Sequence, residues 1–159
     1  MNKIANYILI LSLLFLTNCG YQAVLNNQNY QFSINVNKIN GDQKINSLII
    51  NSFKQLKENE KKYNLSLTSN KEKLIISKDS KGDPSIFEIK INVNYVVEKD
   101  GEILISNKIN KKTTYNNITD KFELENYEKN IINNLVSEIS DNIKLSISKV
   151  SEWELNLLK

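Results

Sequence analysis

The chain has 159 residues, 21 basic and 18 acidic, with a formal net charge of +3 and no histidine. Every basic residue is lysine, and there is a single cysteine. Imidazole-based catalysis is therefore excluded, and so are disulfides within the chain and Cys/His zinc sites, which need several ligands at recognisable spacing. Nucleic acid is excluded as a partner class too, because its footprint is a clustered basic patch and the charge here is small and dispersed.

The first element is a leader. Asn2, Lys3 and Asn6 make a polar start, and Ile8 to Leu16 is an apolar run that stops at Thr17-Asn18-Cys19-Gly20. A bilayer-spanning helix needs ~20 apolar residues, so this run is a signal sequence (residues 1–18) rather than a span. Leu16-Thr17-Asn18-Cys19 resembles the bacterial lipobox, where the cysteine thiol receives a diacylglycerol and the leader is cut just before it. It departs from that pattern at Asn18, which stands where Gly, Ala or Ser is usual. Loss of Lys3 leaves the mature chain at +2. Residues 19–29 then read as a lipidated tether, and stable anchoring needs more than one acyl chain, such as palmitate.

Residues 30–150 read as one domain. Tyr30, Phe32, Ile34 and Val36 alternate with polar residues, as in a half-buried strand. Asn40-Gly41-Asp42 is a turn, and Asp42 suits the N-cap of an amphipathic helix over 43–58, with Ile45, Leu48, Ile49, Phe53 and Leu56 on one face. Leu65 and Leu67 suggest a short strand, and Leu74-Ile75-Ile76 opens another. Lys81-Gly82-Asp83-Pro84 is a turn. Phe87, Ile89, Ile91, Val93, Tyr95 and Val97 face one side of the clearest strand, with Glu88, Lys90, Asn92 and Asn94 opposite. Asp100-Gly101 is a hairpin signal, and residues 103–115 return as its partner. Asp120 and Glu123 stand at capping-box spacing before a long helix whose stripe is Tyr127, Ile131, Leu135, Ile139, Ile143 and Ile147. Val136 and Val150 widen that stripe. Residues 151–159 are expected as a tail, frayed from Trp153. The order predicts an α+β two-layer sandwich: about four mostly antiparallel strands, covered on one face by two helices.

No catalytic set, metal site or cofactor motif appears, and the chain does not read as an enzyme. The four glycines, Gly20, Gly41, Gly82 and Gly101, fall at the anchor junction and at turns. The carboxylate pairs Glu58/Glu60 and Glu123/Glu125 sit at expected helix ends, where solvated charge explains them.

The ordered combination of Cys19-Gly20-Tyr21, the Gly82 turn, Phe87-to-Tyr95, the Asp-Gly hairpin, Ile109-to-Tyr115 and the acidic-started last helix resembles the LptE family. These are the lipopolysaccharide-assembly lipoproteins. The resemblance covers most of the mature chain and is weakest over residues 59–80. It implies an outer-membrane lipoprotein at the periplasmic face, partnered with the LptD β-barrel and plugging its lumen. It also implies lipopolysaccharide binding through basic residues, for which Lys81, Lys111, Lys112 and Lys121 are the nearest matches. In a lysine-rich chain each of these is ordinarily a solvated surface charge, and without arginine no bidentate phosphate clamp is available. The polar sheet face, with Asn35, Asn37, Asn92, Asn94, Ser106 and Asn110, suits the polar lumen of a barrel. The alternative is an adaptor lipoprotein of another envelope machine, such as the barrel-insertion complex. A lipid carrier is disfavoured, since two helices close the core.

Overall fold

Three turn and cap signals set the chain's path. The Asp42 carboxylate accepts from the backbone N–H groups of Lys44 and Ile45, both at 3.0 Å. Asp120 does the same for Glu123 at 2.9 Å. Asp100 and Gly101 both take positive φ, 52° and 86°, the geometry of a two-residue hairpin turn. The computed structural model describes Tyr30, residues 32–54, Leu56 and residues 61–157.

Four strands form one sheet in the order β1-β2-β3-β4. They are β1 (Ser33–Gly41), β2 (Lys62–Lys78), β3 (Pro84–Lys99) and β4 (Glu102–Asn116). β1 pairs parallel to β2, which requires a crossover, and helix α1 (Gln43–Phe53) supplies it. The other pairs are antiparallel. Helix α2 (Lys121–Leu157) has 37 residues, so it runs on the order of 55 Å. The 17-residue β2 reaches a similar length at ~3.3 Å per residue. Helix and sheet can therefore cover one another end to end.

Both helices lie on the same side of the sheet, α1 against β1 and β2, α2 against β3 and β4. Alternate residues of the two central strands are buried beneath them: Tyr63, Leu65 and Leu67 from β2, and Ile89, Ile91, Val93, Tyr95 and Val97 from β3. Ile45, Ile49, Ile139, Ile143 and Ile147 close the core from above. The expected α+β sandwich is thus the observed fold.

Four expectations change. Helix α1 ends at Phe53 rather than at residue 58; Lys54 is its C-cap and bonds back to Ile50. The two short strands expected around Leu65 and Leu74 are one continuous strand, β2. The buried row of α2 starts at Ile132, and Tyr127 is exposed. Finally, α2 continues through Trp153 to Leu157 instead of fraying. Ser151 is buried there, and Glu154 bonds the sheet.

The cap offers a modest test. Asp42→Ala removes the acceptor for two N–H groups and the partner of Lys71, 3.8 Å away. An exposed cap contributes ~1 kcal/mol, and urea unfolding monitored by circular dichroism should show a loss of that order.

Candidate functional site

The helices leave the other face of the sheet open. Strand alternation puts Thr68 and Asn70 of β2, Lys90, Asn92 and Asn94 of β3, and Lys108 and Asn110 of β4 on that face. They line a shallow groove of about 380 Å³. The register stacks asparagines across three strands: Asn70 faces Asn92, and Asn92 faces Asn110. The Asn110 amide N–H donates to the Asn92 carbonyl oxygen. A parallel row joins Asn40, Thr68, Asn94 and Lys108. The surface is flat, polar and mostly uncharged, with each amide presenting both donors and acceptors.

Asn92, Asn94, Ser106 and Asn110 take the face expected of them, and Asn35 joins through its pairing with Asn64. Asn37 sits in a bulge between Val36 and Lys38, without a register partner.

The four predicted lysines do not form one cluster. Lys111 lies opposite Ile91 and Lys112 opposite Lys90, so the two neighbours face opposite sides of the sheet. Lys111 reaches over the edge to Glu138 of α2 at 2.9 Å, and Lys112 pairs with Glu88 at 3.0 Å. Exposed pairs of this kind contribute at most ~1 kcal/mol. Their charge is largely matched locally. Lys81 and Lys121 are exposed and belong to one end of the molecule, because the Asn117 side chain bonds the Pro84 carbonyl at 2.9 Å and ties the β4–α2 loop to the β2–β3 turn. Leu74, Ile75, Ile76 and Phe122 are exposed at this same end. Cys19 lies outside the described residues.

Sequence reasoning missed Lys90 and Lys108 as candidates. Both stand on the asparagine face, and neither forms an ion pair among the described residues. The alternation of Lys90 with Asn92 and Asn94 already carried the signal. A second groove, of about 340 Å³, opens between α1 and α2, lined by Lys44, Lys71, Glu125, Glu128 and Lys129. Among the described residues no helix is long and apolar enough to cross a membrane.

Comparison with solved structures places this architecture. Rare lipoprotein B of Shewanella oneidensis superposes with a TM-score of 0.55 over 77% of this chain and 100% of that one, at 14% identity. The fold is that of rare lipoprotein B. Lipoprotein B of Nitrosomonas europaea aligns with a TM-score of 0.57 over 79% and 90% of the two chains, at 12% identity. A lipoprotein of Caulobacter crescentus aligns with 0.54 over 79% and 93%, at 11% identity. No family model and no curated protein matches the sequence. The likeness therefore lives in the fold: the strand order, the crossover helix and the long last helix.

Proposed function

We propose that this protein is a lipid-anchored subunit of the outer membrane that assembles with, and plugs, the LptD β-barrel, aiding lipopolysaccharide insertion. Rare lipoprotein B is LptE, and the shared fold supports the reading. The observation that carries it is the asparagine face. A domain seated in a polar lumen needs an exterior that hydrogen-bonds without carrying large charge into a confined space. The rows through Asn70, Asn92, Asn94 and Asn110 provide that surface. In this reading Cys19 bears the acyl chains and holds the domain at the periplasmic face. The role is assembly, not catalysis. Lys81 and Lys121, exposed together at one end, are the better candidates for lipopolysaccharide phosphates; Lys111 and Lys112 already face carboxylates.

Extraction of the protein in mild detergent should bring down one very large β-barrel protein. Recovery as a lone monomer, or with a different barrel, overturns the assignment; the second result would favour an adaptor role in another envelope machine. The double variant Asn92→Leu/Asn110→Leu touches only the outer face. It should fold normally yet recover about tenfold less barrel, the equivalent of ~1.4 kcal/mol.

A further inference from the structure

Trp153 is the only tryptophan in the chain, and 63% of its surface is exposed. A large aromatic left in water costs apolar hydration that most folds avoid. Its position in the molecule is specific. Trp153 sits in the last turns of α2, one residue before Glu154, whose carboxylate accepts from the Tyr63 hydroxyl at 2.9 Å and from the Lys99 ammonium. The Lys61 ammonium donates to the Ser151 carbonyl at 2.8 Å, and the Ser33 N–H donates to the Lys61 carbonyl at 2.8 Å. The C-terminal end of α2 is therefore fastened beside the first residue of β1. Ile103, 59% exposed, flanks the β3–β4 turn and pairs with Glu98, which itself pairs with Asn64 of β2. So Trp153 and Ile103 mark the same end of the domain, the end where the described chain begins.

We infer that this end rests on the membrane, with the Trp153 indole and the Ile103 side chain entering the lipid interface while the long axis of the domain points away from it. The inference rests on the reading of Cys19 as the anchor. Between Gly20 and the start of the domain there are ten residues, 20–29, which span at most ~35 Å when fully extended. The anchor can thus hold this end, and not the far one, close to the bilayer. Indole is the side chain that favours the headgroup level, where its apolar body and its N–H are both accommodated. Charge does not oppose the contact: Asp100, Glu102 and Glu152 are balanced there by Lys62, Lys99 and Lys149. The exposed apolar residues at the opposite end, Leu74 to Ile76, lie a full strand length away and stay clear of the lipid.

The single thiol and the single tryptophan allow a direct test. The mature chain, starting at Cys19, is coupled through that thiol to maleimide-bearing vesicles of phosphatidylethanolamine and phosphatidylglycerol. Trp153 emission should move to shorter wavelength, and lipids brominated near the headgroup should quench it about twofold, as expected for burial 5–10 Å into the interface. Trp153→Phe combined with Ile103→Trp should be quenched likewise. Trp153→Phe combined with Lys81→Trp, which moves the reporter to the far end, should not be. Unshifted, unquenched Trp153 emission overturns the inference, and so does equal quenching at position 81. Because the coupling supplies the anchor chemically, the result does not depend on native acylation. The intact mass of the cell-derived protein decides that separately, and barrel recovery decides the plug.

Discussion

Gly41→Ala is expected to destabilise the protein more than the same change at Gly82 or Gly101, although all three glycines share one backbone conformation. Their φ angles are 88°, 88° and 86°. Any side chain in that left-handed region costs roughly 1–2 kcal/mol. At Gly82 and Gly101 nothing lies within 4 Å of where a Cβ would be, so that cost stands alone. At Gly41 the new Cβ would lie 1.8 Å from the Ser69 carbonyl oxygen and 2.9 Å from its carbon. Both are backbone atoms and cannot swing aside. The Ser69 carbonyl also accepts the Asp42 N–H at 3.1 Å, and the Ser69 hydroxyl donates to the Asp42 carbonyl at 3.2 Å. Relieving the clash would pull apart the point where β1 leaves the sheet and α1 is capped. The combined loss should be roughly 3–5 kcal/mol, a large share of the 5–15 kcal/mol typical of a domain. Urea midpoints of the three single alanine variants measure it. If Gly41→Ala and Gly82→Ala unfold at the same urea concentration, the backbone clash has no energetic weight.

That junction was only partly legible in the sequence. Asn40-Gly41-Asp42 announces a turn and a cap, because Gly and Asp each have a local conformational reason to be there. Nothing local says that β1 then pairs parallel to β2, since the partner lies a helix away. Elements whose inward residues are all apolar were readable: Phe87 to Val97, and Ile132 to Ile147. The reading failed where the inward positions are lysines satisfied by acids. In the middle of β2 the residues facing the helices are Lys71 and Lys73, paired with Asp42 and with Glu128 at 2.6 Å. The period-2 apolar signal disappears there, and one strand reads as two. The end of α2 failed for the same reason, being held by Ser151 and Glu154 rather than by apolar contact. Helix α1 was overextended because Leu56 continues the helical spacing of Phe53, yet its N–H bonds the Phe53 carbonyl at 2.9 Å in a turn beyond the cap. For the site, alternation was enough to find the asparagine face. It could not show that Lys111 and Lys112 point to opposite sides with partners already in place.

The two acids that fasten α2 to the sheet should give the protein a stability plateau with two pH limits. Glu128 accepts from the Tyr115 hydroxyl at 2.7 Å and from Lys73, whose ammonium also lies 4.3 Å from the centre of the Phe87 ring. Glu154 accepts from Tyr63 and Lys99 in the same way. Burial pushes the Glu154 carboxyl up. The hydrogen bonds from Lys99 and Tyr63, with the charges of Lys99 and Lys61, outweigh burial and hold it below its ordinary 4.5. A carboxylate whose folded pKa is depressed stabilises the fold above its unfolded pKa, and that stability is lost as pH falls below 4.5 toward the folded value. Burial, and then the Glu154 carboxylate, push the Tyr63 hydroxyl from 10.0 up to about 12. Burial and Glu128 raise Tyr115 as well. A phenol whose folded pKa is raised keeps its full contribution below pH 10 and loses it as pH climbs toward 12. Glu154→Ala leaves the Tyr63 hydroxyl buried without that acceptor, at a cost of roughly 2 kcal/mol at neutral pH; Lys99, partly exposed, can recover water. Urea midpoints taken across pH should therefore show a shallower acid limb in Glu154→Gln and a shallower alkaline limb in Tyr63→Phe. An acid limb in Glu154→Gln that overlays the wild type would mean this carboxylate does not hold the end of the helix, and the same clamp fixes the turn of α2 that presents Trp153.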